Sequence, residues 1–165
     1  MRRLKLSLIP AAFALVMALA APARSIETGP GRSGQLGLGL IAGSPAGLTL
    51  KYWMNSENAL DIAVGNFGYY VGSYYPGVNL HVDYLWHRFG VFGPSGSNAS
   101  THLPLYFGVG GMYSSPNVAG ARGVFGITYL FDDPFDVFFE LAPTLVVGPA
   151  QGFGIDAGLG GRFYF

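Results

Sequence analysis

The 165-residue chain lacks cysteine altogether, which excludes disulfide bonds and any chemistry that needs a thiolate. It is also poor in charge, because only 11% of its residues are Asp, Glu, Lys or Arg, against about 25% in an average soluble domain. The formal net charge is zero, so no basic field favours nucleic acid. Beyond the N-terminal segment, glycine, proline or a charge interrupts every apolar run, so none of them predicts a transmembrane helix.

The N-terminal segment has the pattern of a secretory signal peptide. Three cations precede an apolar run from Leu6 to Ala20, and small residues follow the run. Residues 1–23 are therefore predicted to be a signal peptide, with cleavage after Ala23 or, as the second choice, after Ala20. An uncleaved anchor is the alternative, although the run is shorter than the ~20 apolar residues of a spanning helix.

Glycine and aromatic residues are abundant, with 26 glycines and 15% aromatics, and they follow a period of two. The last stretch, Gly152–Phe165, places large apolar residues on one face and glycines with one acid and one base on the other, as a strand would. Seven earlier segments alternate in the same way, at 35–42, 46–54, 59–66, 78–87, 103–112, 121–131 and 135–145.

An exported chain this apolar, with no spanning helix, requires a closed sheet. We therefore predict an all-β domain over residues 35–165, preceded by a flexible lead-in at 24–34. The fold is an eight-stranded antiparallel up-and-down transmembrane β-barrel with a filled, charged lumen.

The positions of the charges support this fold. Every charge within a predicted strand has the parity opposite the large apolar residues, as lipid exposure demands, because Arg or Lys on the lipid face costs about 2–4 kcal/mol at the midplane. An eight-stranded interior is just filled by side chains, so these charges are predicted to form a salt-bridged network, with the glycines of that face making room for it. The network residues are Lys51, Asp61, Asp83, Arg122, Glu140, Asp156 and Arg162.

Two alternatives to a sealed transmembrane barrel stay open at this point. The lumen charges could instead line a proton or ion path, which would make the protein a narrow pore. A soluble, lipocalin-like barrel also alternates, but it would enclose the apolar face and leave a surface of glycines with very few charges.

Aromatic residues near the predicted strand ends suit the girdles at membrane interfaces, although ordinary β-propensity is the alternative. They are Tyr52, Tyr84, Trp86, Tyr129, Phe131, Phe163 and Phe165. The stretch 67–77 is predicted to be a loop rich in tyrosine and glycine. It is the candidate surface contact, or else an interfacial anchor, through Tyr69, Tyr70, Tyr74 and Tyr75.

Evidence for catalysis or metal binding is weak. A lipid A-modifying enzyme would need a Ser–His–acid set, and Ser100 with His102 is the only close Ser/His pair, with no acid nearby in sequence. His81 and His87 share a face with Asp83, but at 3.3 Å per residue they are about 20 Å apart, too far to share one ion. We therefore expect no cofactor, no metal and no enzymatic activity.

Five segments of the chain resemble small bacterial outer-membrane proteins of uncharacterised function, similar in architecture to the OmpA and OmpX barrels. They are Gly47–Trp53, His81–His87, Gly126–Phe131, Phe138–Pro143 and Gly160–Phe165. The resemblance implies an eight-stranded barrel in the bacterial outer membrane, with no settled activity and no catalytic residues. It also implies contact with membrane lipid and lipopolysaccharide, and recognition of the strand ending at Phe165 by the barrel-assembly machinery.

The predicted function is a monomeric outer-membrane barrel of structural, surface-interaction or adhesive type without an open channel. A lipid A-modifying enzyme and a narrow pore are the alternatives. One segment departs from the OmpX pattern: the predicted loop 88–102 would lie on the periplasmic side if the N-terminus starts in the periplasm, and turns on that side are usually short.

Overall fold

A computed structural model describes residues 31–70, 73–132, 134–147 and 151–165, without the side chains of residues 67–76. The predicted signal peptide 1–23 and the lead-in up to residue 30 lie outside this range. Within these residues there are eight strands and one short helix. The strands are β1 Leu36–Gly43, β2 Ala46–Trp53, β3 Asn58–Tyr70, β4 Ser73–Arg88, β5 Leu105–Ser114, β6 Val118–Leu130, β7 Phe135–Val147 and β8 Gly152–Tyr164, and the helix is α1 Asn98–His102.

The strands form a closed antiparallel barrel in which each strand pairs with the next along the chain and β8 pairs back to β1. In the register at the point of closure, Gly39 of β1 is paired with Thr49 of β2 on one side and with Arg162 of β8 on the other. The predicted all-β, eight-stranded barrel is thus confirmed. No helix in the described part of the chain is long and apolar enough to cross a membrane.

The two faces of the sheet differ as the period of two predicts. Large apolar side chains point outward and are exposed, for example Leu40 at 66%, Phe153 at 65% and Ile155 at 66%. The charged residues of the strands point inward and are buried, apart from Arg88 at the end of β4. The lipocalin-like alternative, which requires an apolar interior, is therefore wrong.

The predicted loop 67–77 is wrong for most of its length. β3 continues to Tyr70 and β4 begins at Ser73, and Tyr69 lies opposite Tyr74 in the register. The physical reason is that tyrosine favours extended structure, and a tight hairpin lets these residues pair with each other once a bulge near Gly65 has shifted the register. The β5–β6 connection is also shorter than the gap between the predicted segments 103–112 and 121–131, because β5 continues to Ser114 and β6 begins at Val118.

The predicted loop 88–102 contains the helix α1, which the sequence analysis missed. Ser97 caps its N-terminus, since the Ser97 side chain accepts a hydrogen bond from the Ser100 backbone N–H at 3.3 Å. Five residues are too few to show a helical period. Because four strands run each way, this segment lies at the same end of the barrel as the start of β1 and the end of β8, which we call the terminal end.

The predicted girdle residues all lie near this terminal end, so they form one band rather than two. Tyr129 and Phe131 are in edge contact with ring centroids 4.8 Å apart, and Phe163 and Phe165 with centroids 5.2 Å apart. Trp86 stacks on Phe107 of the next strand at 5.7 Å. Aromatic side chains therefore surround the terminal end at the level where a membrane interface would lie.

Replacing Leu141 with arginine tests which face meets lipid. Leu141 is exposed halfway along β7, so Leu141→Arg should lower the free energy of unfolding in lipid vesicles by about 2–4 kcal/mol. Val147→Arg, on the same face at the end of the strand, is the matched control and should cost about 0–1 kcal/mol. Urea titration of the protein in vesicles measures both. Equal, negligible costs at the two positions would mean that this face does not contact hydrocarbon.

The charged lumen as the candidate functional site

The lumen gathers most of the charged side chains of the strands. All seven residues predicted for the charge network point into it, and none is more than 4% exposed. Their strands position them because β2, β3, β4, β6, β7 and β8 each turn alternate residues inward. The structure therefore brings these seven residues into one enclosed space.

Arg162 of β8 is the centre of one half of the network. Its Nη2 lies 2.8 Å from Asp61 Oδ1 of β3, and its Nη1 lies 3.5 Å from Asp136 Oδ2 of β7. Its Nε donates to Thr49 Oγ1 of β2 at 3.1 Å, and the guanidinium stacks 3.7 Å from the ring centroid of Phe138. One side chain thus links four strands across the lumen.

Asp136 belongs to this half of the network, and the sequence analysis missed it. It comes two residues after Pro134 at the start of β7, in a position that resembles a strand end. Its side chain is nevertheless buried, and it accepts a hydrogen bond from the Tyr164 hydroxyl at 2.6 Å. The parity rule could have found it, because Asp136 has the same parity as Glu140.

Arg122 of β6 is the centre of the other half. Its Nη2 lies 3.0 Å from Glu140 Oε1, its Nε lies 3.4 Å from Asp83 Oδ2, and its Nη1 makes a short hydrogen bond to His81 Nδ1. Glu140 also accepts a hydrogen bond from the Tyr106 hydroxyl at 3.2 Å. The predicted pairing of arginines with carboxylates is therefore present in both halves.

Lys51 does not form the salt bridge that the sequence predicted. No carboxylate oxygen of a described residue lies within 4 Å of its Nζ, which instead donates to His87 Nε2 at 2.8 Å. The ammonium lies 4.5 Å from the ring centroid of Trp53 and 5.3 Å from that of Tyr106. Two aromatic faces and an imidazole lone pair stabilise this cation. The prediction of a salt bridge considered the charges alone and left out the inward-facing aromatic residues.

Asp156 also differs from the prediction. Its Oδ2 lies 2.6 Å from the Thr144 hydroxyl, and no cationic group of a described residue lies within 4 Å. The pairing was predicted from sign alone, whereas Asp156 lies on β8 six residues away from Arg162, about 20 Å along the strand. The two charges lie at different heights in the lumen.

The two buried histidines are held as separate, neutral groups. His87 Nδ1 is 3.1 Å from the Glu57 carbonyl oxygen, to which it can donate while Nε2 accepts from Lys51. His81 accepts from Arg122 at Nδ1. In the described part of the chain, no group of three His, Asp or Glu residues is arranged to hold a metal ion.

Inward-facing glycines give aromatic rings the space to lie flat across the neighbouring strand. Gly37 is the direct cross-strand partner of Tyr164, Gly126 of Tyr106, and Gly160 of Phe138. A Cβ atom at Gly37 would lie only 2.5 Å from the Tyr164 ring, and one at Gly160 only 2.5 Å from the Phe138 ring. The sequence predicts only that the glycines leave space for the charged residues. In the structure, each of these glycines leaves space for one particular aromatic ring beside the charges.

Apolar clusters lie above and below the charges in the lumen. Trp53, Leu130 and Tyr164 pack together at the terminal end, with Phe89 against them. Met112 with its neighbours Val118 and Val146 packs at the opposite end. The charged network thus lies between two clusters of apolar side chains.

The surface residues singled out in the sequence do not assemble into a Ser–His–acid set. His102 Nε2 lies 2.9 Å from Asp132 Oδ1, which supplies an acid that the sequence could not reveal, and His102 Nδ1 lies 2.8 Å from the Thr101 hydroxyl. The Ser100 hydroxyl instead accepts from the Gly96 N–H at 3.2 Å. The side chains of Tyr69, Tyr70, Tyr74 and Tyr75 lie outside the described residues.

Removing the central guanidinium should strongly destabilise the barrel. Arg162→Met leaves the buried carboxylates of Asp61 and Asp136 without their cation, and breaking a buried pair in this way costs about 3–5 kcal/mol. The matched control is Arg88→Met, because the Arg88–Glu57 pair is exposed at the rim and contributes about 0–1 kcal/mol. Urea unfolding of both variants in detergent micelles measures the difference. Equal costs would contradict a stabilising role for the buried network.

No family model and no curated protein matches the sequence. Among solved structures, the chain is similar to the crystal structure of the N-terminal β-barrel domain of Pseudomonas aeruginosa OprF, with a TM-score of 0.59 and 19% sequence identity. The similarity covers 81% of this chain and 98% of that domain. At this level of identity the likeness concerns the fold, and the chain accordingly has an OmpA-like eight-stranded barrel fold.

Proposed function

We propose that the protein is a structural, surface-interacting barrel of the bacterial outer membrane that does not conduct ions. The observation that carries this proposal is the packing of the lumen, in which paired and buried charges lie between two apolar clusters. The outward apolar face, the aromatic band and the similarity to the OprF barrel domain support the membrane location. The signal peptide at residues 1–23 would supply the export step.

The proposed partners follow from the same surfaces. Membrane lipid and lipopolysaccharide would contact the apolar outer face, and the barrel-assembly machinery would recognise the C-terminal strand that ends in Phe165. The hairpin of β3 and β4, with Tyr69, Tyr70, Tyr74 and Tyr75, is the proposed contact surface for a macromolecule at the end opposite the termini. The barrel closes on itself within one chain, so the proposed state is a monomer.

Conductance across planar lipid bilayers tests the sealed lumen. The purified wild-type protein should give no sustained single-channel currents, because no water-filled path is expected through the packed side chains. A variant with both terminal-end aromatics shortened, Trp53→Ala with Tyr164→Ala, is the positive comparison and should leak more. Long-lived conductance steps from the wild-type protein would support the narrow pore instead.

Single cysteines can test the orientation, since the natural chain contains none. Ser115→Cys lies in the β5–β6 turn, at the end opposite the termini, and Ser56→Cys lies in the β2–β3 turn at the terminal end. A membrane-impermeant maleimide should label Ser115→Cys in intact cells, and Ser56→Cys only after the outer membrane is permeabilised. The reverse pattern would place the terminal end on the cell surface. If neither cysteine were labelled, the result would contradict a location in the outer membrane.

A further inference from the structure

The charges sealed in the lumen do not balance. Among the described residues the interior holds three cations, Lys51, Arg122 and Arg162, and a larger number of carboxyl groups. The buried carboxyl groups are Asp61, Asp83, Asp136, Glu140 and Asp156. If all of them were ionised, the lumen would carry two uncompensated negative charges, which is very costly among buried side chains.

The histidines do not supply the missing positive charge. His81 accepts a hydrogen bond from Arg122 at Nδ1, and His87 accepts one from Lys51 at Nε2. A ring nitrogen that accepts a hydrogen bond carries no proton, so each imidazole holds one N–H and is neutral. In His87 this N–H can donate to the Glu57 carbonyl oxygen.

Three of the carboxyl groups lie beside a guanidinium that can donate to them. Asp61 lies 2.8 Å and Asp136 lies 3.5 Å from the guanidinium of Arg162, and Glu140 lies 3.0 Å from that of Arg122. Each of these three also accepts a hydrogen bond from a hydroxyl group: Asp61 from Thr49, Glu140 from Tyr106 and Asp136 from Tyr164. The three cations therefore balance these three carboxylates, which leaves two carboxyl groups over.

Asp83 is the first of these two. It lies directly opposite Asp61 in the β3–β4 register, an arrangement that is destabilising when both carry the same charge. No described residue donates a hydrogen bond to either of its carboxyl oxygens, although an ionised carboxylate normally accepts several. The groups that face it are Asp61 from β3, His81 from its own strand and Arg122 from β6.

Asp156 is the second. Thr144 lies 2.6 Å from its Oδ2, but the same hydroxyl also lies 3.1 Å from the carbonyl oxygen of Ala142. A hydroxyl has a single hydrogen to donate. Thr144 can therefore give Asp156 at most one hydrogen bond, and no cationic group of a described residue lies within 4 Å of the carboxyl oxygens, so an ionised Asp156 would lack a compensating charge.

We propose that Asp83 and Asp156 are proton-binding sites of the folded barrel, and that both hold a proton while the other three carboxyl groups stay ionised. The lumen is then electroneutral. The proposal rests on the sealed lumen proposed above, because water in an open channel would stabilise additional charge. It also explains why Asp61 and Asp83 can lie side by side: only one of the two is charged.

The bound species is a proton rather than a metal ion. Because His81 accepts at Nδ1, its hydrogen is on Nε2, which lies 3.7 Å from Asp83 Oδ2 and 4.0 Å from Asp61 Oδ2. A metal between these oxygens would meet an N–H donor instead of a lone pair. A proton on the carboxyl group requires no such ligand.

Infrared spectroscopy of the full protein in detergent micelles at neutral pH tests the assignment. The wild-type spectrum should show the carbonyl stretch of protonated carboxylic acid. Asp83→Asn and Asp156→Asn should each remove about half of this band, and the double variant should remove all of it. Asp132→Asn changes an exposed carboxylate in a turn and should leave the band intact. A wild-type spectrum without the band, or a band that survives in the double variant, overturns the proposal.

Stability gives an independent readout. Asparagine is uncharged and close in shape to protonated aspartic acid, so Asp83→Asn should change the unfolding equilibrium constant by less than about tenfold. Asp61→Asn removes a partner of Arg162 and should change it by about a hundredfold or more. Equal losses in the two variants overturn the proposal, and if a variant fails to fold, the wild-type band decides.

Two further measurements distinguish bound protons from a bound metal ion and from an open channel. Excess chelator should leave the wild-type unfolding midpoint unchanged, and a lower midpoint would mean that a metal ion supplies the charge, which overturns the proton assignment. Sustained bilayer currents contradict the sealed lumen itself. A missing infrared band in a barrel that does not conduct overturns the protonation of Asp83 and Asp156 and leaves the proposed function standing.

Discussion

The narrow bore of an eight-stranded cylinder is the constraint on which the rest of this structure depends. Its interior has room for side chains and little else, so a polar residue that turns away from lipid meets other side chains rather than water. Every such residue must then find a partner inside. Arg162 shows how this is achieved, because it reaches Asp61, Asp136 and Thr49 on three other strands.

The same constraint accounts for the composition. A low content of charge, a high content of glycine and many aromatics are three aspects of one packing problem. Glycines such as Gly37 and Gly160 leave room for rings, the rings fill the bore beside the charges, and few charges can be accommodated at all. Because Lys51 is enclosed by Trp53 and by an imidazole, even a cation without a carboxylate partner can be held in this interior.

The sequence predicts the fold and which residues point into the lumen, but not which of those residues contact each other. Alternation with a period of two is a local property, so it identifies which residues point inward, as it does for Glu140 and Arg122. Pairing depends on contacts across the lumen, between residues such as Asp61 and Arg162 that are far apart in the chain. Asp136 was missed because it lies close to Pro134, and α1 because five residues carry no period.

Several independent features of the barrel indicate that its outer face meets lipid. The outward side chains are apolar, the inward charges are buried, and the aromatic band lies at one end. A likeness to the OprF barrel domain at 19% identity adds the fold alone. Surface contact rests on loops and hairpins, whose chemistry the barrel itself does not dictate.

The two ends of the barrel differ in size, and this difference bears on how the protein enters its membrane. Connections opposite the termini are small, with only Ser44 and Pro45 between β1 and β2, whereas residues 89–104 with the helix α1 project from the terminal end. Polar backbone costs several kcal/mol for each unsatisfied group in hydrocarbon. A barrel that inserts with the end opposite the termini leading would carry few unpaired backbone groups through the bilayer, because the β3–β4 hairpin pairs with itself. The longer trailing segment would not have to cross.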